Sequence, residues 1–298
     1  MNSFELSIIS KFNVESICLP LIGDPSILPI LKRRGIALGG ANEKKSDHLI
    51  AKSSLADEDS LPDEGILEFL LRDSYEPNSA NFISGLKTWF TEQEATWLSN
   101  IRERIEKIEN PAIRDLAAAL AIKTAEVALA RRLRAPELSQ SMSKIFRQIS
   151  ENFVPFPRSS LRTTLKIAKP GEFVGDFPAH LMFLRLPEPA FDSQNVKEDW
   201  REVWISQGRS SIESLSNRDF TDLFTKTPGK QYILNSIEEI LSRCGNFQHW
   251  MISFVDVPFI SAQNLTELVS RFRKVSAVYA KDISDLTGKR AAILVASF

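Results

Sequence analysis

Cysteine is scarce. The chain has two, Cys18 and Cys244, far apart and each in an apolar context, which speaks against a disulfide scaffold or a cysteine-held zinc site. The three histidines, His48, His180 and His249, show no metal-ligand spacing, so no metal is expected. Surplus charge is absent too. Lys and Arg total 37 against 38 Asp and Glu, a formal net charge of -1. That balance disfavours a uniformly basic nucleic-acid binder and an acidic disordered chain. No apolar run approaches the roughly 20 residues of a membrane span. The opening MNSFELSIISKF lacks the long apolar segment of a secretory signal. No serine-nucleophile elbow, P-loop, HExxH pair or CxxC cluster occurs, which argues against hydrolase, NTPase and metalloprotease chemistry. With 298 residues, 43% of them hydrophobic, the expectation is a soluble cytoplasmic protein with one large core or two modest ones.

The first segment alternates strand-like and helix-like stretches. Ser16 to Ile22 is a short apolar run that ends at Gly23-Asp24-Pro25-Ser26. A helix follows from Ile27, with Pro25 suited to its start and Gly35 to its end. A second strand fits Ile36 to Ala41, and His48 to Leu55 reads as a helix. Strand, helix, strand suggests parallel pairing through a crossover. From Ser54 to Pro62 the sequence is acidic and serine-rich, a loop.

The middle is helical. Thr91-Glu92-Gln93-Glu94 resembles a helix start with an acidic first turn. Trp97, Ile101, Ile105 and Ile108 then recur at three- and four-residue steps, one apolar face. Pro111 opens the next helix, apolar over much of its circumference and so expected to be buried. A third helix is expected near Glu137 to Ile149. Residues 84–150 therefore read as a helical insertion between an N-terminal part, 1–83, and a C-terminal part, 151–298. Strands return at Leu161 to Ile167 and His180 to Leu186. The last third offers a helix at Lys230 to Arg243, a strand at His249 to Phe254 and a helix at Ala262 to Phe272. Two strands, Val275 to Ala280 and Ala291 to Ser297, close the chain. The pattern describes an α/β fold with a mixed, mostly parallel sheet.

The order and wording of these segments resemble the D12-class adenine-specific DNA methyltransferases. The resemblance rests on Leu31-Lys32-Arg33-Arg34-Gly35 and Leu49-Ile50-Ala51-Lys52 for the first two helices. It continues with Trp89-Phe90-Thr91-Glu92-Gln93-Glu94 and Ile101 to Glu106 for the helical insert. Met251 to Phe254 with Ile260 to Leu265 look like the fifth strand and its succeeding helix. It implies a Rossmann-like, S-adenosylmethionine-dependent methyltransferase fold with a helical insertion.

The same resemblance locates the sites. The family's glycine-rich cofactor turn falls at Leu19 to Pro25, where Gly23 is kept and Pro25 replaces a second glycine. Proline fixes φ and removes a donor. The ribose-binding acid falls at Asn42, with Glu43 beside it, and Gly175-Asp176 matches the adenine-reading loop. The catalytic tetrapeptide, an acid followed by two prolines and an aromatic, falls at Leu186, Pro187, Glu188 and Pro189. Leu186 can accept no hydrogen bond from a target amine, and Pro189 offers no π face to a flipped base. Removing one charge-stabilising group commonly costs about 10²–10³ in rate. The expectation is a degenerate adenine-methyltransferase homologue, catalytically inactive, that needs no cofactor and serves as a binding or scaffolding module. Its implied partners are DNA, another protein or a second copy of the chain, with no membrane and no metal. Arg131, Arg132 and Arg134 are the candidate phosphate contacts, and Asp199 to Trp204 the candidate interaction surface. The alternative is an active, divergent enzyme that binds S-adenosylmethionine through Gly23, Asn42 and Asp176.

Overall fold

Short apolar runs broken by glycine and proline become strands here, and the longer periodic stretches become helices. The computed structural model describes residues 2–78, 80–134, 140–187, 199–207, 220, 224, 229–256, 260–282 and 290–297, with side chains 133 and 134 outside that description. In chain order come helix α1 (Asn2–Ile9), strand β1 (Ser16–Leu19), α2 (Ile27–Arg33), β2 (Ala37–Asn42) and α3 (Lys45–Ser53). Then follow α4 (Glu64–Leu71), α5 (Glu92–Glu106), α6 (Pro111–Arg134) and α7 (Met142–Glu151). The chain continues with β3 (Thr163–Ile167), the single turn α8 (Pro170–Phe173), β4 (Leu181–Arg185) and α9 (Trp200–Ile205). Last are α10 (Lys230–Ser242), β5 (His249–Asp256), α11 (Ala262–Ser270), β6 (Lys274–Asp282) and β7 (Arg290–Ser297). Gly35, at φ +80°, takes the left-handed position after α2 that glycine accepts without strain.

Two compact units form: residues 1–51, 160–196 and 216–298 make one, and 52–159 with 197–215 the other. The first is built on a seven-stranded sheet of order β3-β2-β1-β4-β5-β7-β6. Strands β1 to β5 pair in parallel, and β7 runs antiparallel to both neighbours. The sheet is thus mixed and mostly parallel, compatible with a Rossmann-like arrangement. Ile17, Cys18 and Leu19 of β1 are wholly buried, as expected of a central parallel strand covered on both faces. Gly39 of β2 is required by packing: a Cβ there would meet the Phe177 ring at 2.3 Å.

The second unit is helical. Thr91 caps α5 in a reciprocal capping box with Glu94. Trp97, Ile101, Ile105 and Ile108 are buried. The Trp97 indole N–H donates to Ser143 Oγ of α7 at 2.9 Å. The segment Asp199 to Trp204 corrects the expectation of an interaction surface. Trp200 and Trp204 are buried, Trp204 donates to the Leu98 carbonyl at 2.7 Å, and Trp200 meets Phe90 edge to face. An amphipathic six-residue helix gains more by burying its aromatics than by displaying them. Among the described residues no helix is long and apolar enough to cross a membrane. Nor does any group of three or more His, Cys, Asp or Glu side chains suit a metal ion.

Candidate functional site

Strand order reverses between β1 and β4, since β2 and β3 lie to one side and β5, β7 and β6 to the other. Open α/β sheets bind ligands in the crevice outside the carboxyl ends of their strands at such a switch point. A cavity of about 320 Å³ lies there, at the small end of ligand-site volumes. Leu21, Gly23 and Asp24 reach it from the turn after β1, and Asn42 from the end of β2. Glu43 and Asp47 follow from the next turn and α3. Leu186 and Pro187 come from beyond β4, while Glu5 of α1 and Ser253 and Val255 of β5 complete the wall.

Arg185, the last residue of β4, organises this wall. Its five N–H groups are all engaged. Nε donates to Glu5 Oε1 at 3.2 Å and Nη2 to Glu5 Oε2 at 3.0 Å. Nη1 donates to the carbonyls of Ile22 at 2.8 Å and Asp24 at 2.6 Å, and Nη2 also to Asn2 Oδ1 at 2.8 Å. Glu5 in turn accepts from Ser253 Oγ at 2.6 Å. Glu5 is 1% and Arg185 8% exposed. A buried ion pair of this kind is tolerable only because every guanidinium proton and both carboxylate oxygens find a partner. The guanidinium also holds the turn in which Gly23 adopts φ +62°, a left-handed conformation suited to glycine.

Two polar groups on the wall differ from that saturated pair. Asn42 is 3% exposed, and its side-chain Oδ1 is buried with no hydrogen-bond partner among the described residues. An orphaned acceptor of this sort costs about 1–3 kcal/mol. For Asp24, burial alone would raise the carboxyl pKa. Hydrogen bonds from the Ser26 backbone and side chain and from Asn2, with the Arg185 charge, outweigh burial and hold it below its ordinary value.

The sequence-expected residues divide as follows. Gly23, Asn42, Glu43, Leu186 and Pro187 converge on the cavity. Asp176 is not among its lining residues: it is exposed and paired with Lys166 at 2.8 Å. Pro25 is absent from the lining as well. Glu188 and Pro189 lie outside the described residues. Leu186 is 8% exposed and carries only aliphatic side-chain atoms, while its backbone N–H donates to the Ser253 carbonyl at 2.8 Å. Arg131 and Arg132 line a second cavity, of about 720 Å³, within the helical unit. Arg132 pairs with Glu94 at 3.1 Å and donates to the Trp89 carbonyl, and Arg131 donates to Gln140. The Arg134 side chain and the expected helix start at Glu137 lie outside the described residues.

Sequence reasoning missed Glu5, Asp47, Arg185 and Ser253. Arg185 carried a signal, a lone cation in the apolar run His180 to Leu186. Its partner 180 residues upstream carried none. No family model and no curated protein matches this sequence.

Proposed function

We propose that the chain is a catalytically silent relative of the adenine-specific DNA methyltransferases, acting as a binding or scaffolding module for DNA or a protein partner. The seven-stranded, mostly parallel sheet with its one antiparallel strand is compatible with the Rossmann-like fold that this reading expects. The observation that carries the silent half is the chemistry at the end of β4. The Leu186 side chain gives the crevice no acceptor for a target amine. Arg185 has no N–H left for a substrate, because Glu5, Asn2, Ile22 and Asp24 take all five. Transition-state stabilisation needs groups aimed at developing charge, and Arg185 and Glu5 aim their charges at each other.

The active reading has one observation in its favour: Asn42 keeps a buried, unmatched acceptor on the crevice wall, where a ligand hydroxyl could donate. Calorimetric titration of the full chain with S-adenosylmethionine and S-adenosylhomocysteine decides between the two. The silent module shows no heat of binding at millimolar ligand. Micromolar affinity, about −8 kcal/mol, with methyl transfer to DNA would overturn it. Retention of duplex DNA that weakens steeply with salt would identify DNA as the partner. No retention would direct the search to proteins.

A further inference from the structure

We propose that the cavity of about 720 Å³ in the helical unit binds a small organic acid, a carboxylate carried on an apolar or aromatic body. Its described lining residues all belong to the segment 52–159 of that unit. The volume falls within the ordinary range of ligand sites, about 300–1,000 Å³. α6 supplies Ala128, Arg131 and Arg132, which share a helix face because they stand three and four residues apart. Ala128 is buried, and its one-carbon side chain leaves room that a longer one would fill. Met142 and Ile145, three apart on α7 and both buried, add thioether and aliphatic surface. Tyr75 adds an aromatic ring, 37% exposed, whose hydroxyl accepts from the Ser143 N–H at 3.3 Å. These groups suit the apolar half of such a ligand.

The charges select the other half. Among the described lining residues three carry full charge, Glu94, Arg131 and Arg132. Arg132 pairs with Glu94 at 3.1 Å through Nη1, and its Nη2 donates to the Trp89 carbonyl at 2.8 Å. One positive charge is left over. Arg131 meets no carboxylate among the described residues; its Nη1 donates to the neutral Gln140 Oε1 at 2.7 Å. The edge formed by its Nε and Nη2 donates to nothing among the described residues. Two N–H groups on one guanidinium edge match the two oxygens of a carboxylate. A dianionic phosphate is the poorer match, because the Glu94 carboxylate stands in the same lining. The surplus positive charge likewise disfavours an amine.

The test uses the full chain at about 0.15 M salt, where exposed charges more than about 8 Å apart are largely screened. Naphthaleneacetate serves as the probe and the uncharged naphthaleneacetamide as its comparator, both in calorimetry. The acid is expected to saturate one site at least about tenfold more tightly than the amide, the worth of a charge-assisted pair. Arg131→Gln should weaken the acid about tenfold and leave the amide within about twofold, so that the preference disappears. Ala128→Leu should weaken both alike by filling the apolar floor. Should Ala128→Leu fail to fold, Arg131→Gln, at a partly exposed position near the end of α6, decides alone. No saturable site for the acid, equal affinity for acid and amide, or an acid affinity unchanged by Arg131→Gln would overturn the proposal. The reading of the crevice is scored separately with S-adenosylmethionine and DNA, so either can fail without the other.

Discussion

Glu5 and Arg185, 180 residues apart in the chain, form a buried ion pair closed by two N–H to oxygen bonds of 3.2 and 3.0 Å. The pair ties α1 to the carboxyl end of β4 and, through Arg185, fixes the turn that follows β1. Breaking one side leaves a largely buried charge without its counter-ion. Glu5→Gln is therefore expected to cost about 3–5 kcal/mol of stability, read as a lower urea midpoint at unchanged slope. The double variant Glu5→Leu with Arg185→Met should recover most of that loss, because uncharged side chains of similar volume avoid the desolvation of both ions. A cost below about 1 kcal/mol for Glu5→Gln would refute the buried pair.

Gly39 gives a steric prediction. Its backbone φ lies outside the left-handed range, so space alone decides the cost, and the Phe177 ring fills that space. Gly39→Ala should destabilise by about 1–3 kcal/mol, as overpacking does. Combining it with Phe177→Leu should return part of the loss. Independent, additive costs for the two changes would contradict the contact.

Acid sensitivity should trace in part to His249. Burial, then the positive charges of Arg273 and His180, push its pKa below the ordinary value. The ring meets Ser297 Oγ at 2.9 Å and lies against Phe12. A lowered folded pKa means the unfolded chain binds the proton first. The contribution is complete above the unfolded value, about pH 6.5, and is lost as pH falls through the folded value. Urea midpoints measured from pH 7.5 to 5 should fall, and His249→Asn should flatten the slope. Parallel slopes for the two proteins would remove His249 from the account.

Both thiols should be inert in the native state. Burial raises the Cys18 pKa well above its ordinary value and pushes Cys244 up to about 12, the latter partly offset by Arg273. The thiolate is the reactive form. Aromatic disulfide reagent at pH 8 should titrate no thiol in the folded protein and two after urea unfolding. A rapid native reaction would show that one of the sulfurs is reached by solvent.

Local signals in the chain translated well where the physics was local. Trp97, Ile101 and Ile105, read from their four-residue spacing, are buried in α5, which is covered at every position from Ala95 to Arg102, with Ile108 buried just past its end, and Thr91 with Glu94 closed its capping box. Gly35 ended α2 at positive φ. Elements with weak periodicity escaped notice. α1 and α4 are eight residues each, too short for an apolar repeat to stand out, yet α1 carries Glu5 to the crevice.

What the sequence determined by itself is the type of most of the longer elements, because helix caps, apolar periods and proline or glycine stops act over a few residues. Strand neighbours were decided only in three dimensions. β1 sits between β2 and β4, and that placement alone makes a crevice of Gly23, Asn42 and Leu186. The aromatic segment Trp200 to Trp204 looked like a surface and turned inward, since burial depends on what covers a residue. The same holds for charge. Arg185 was one cation in an apolar strand until folding brought Glu5 beside it, and an ion pair across 180 residues has no signature along the chain.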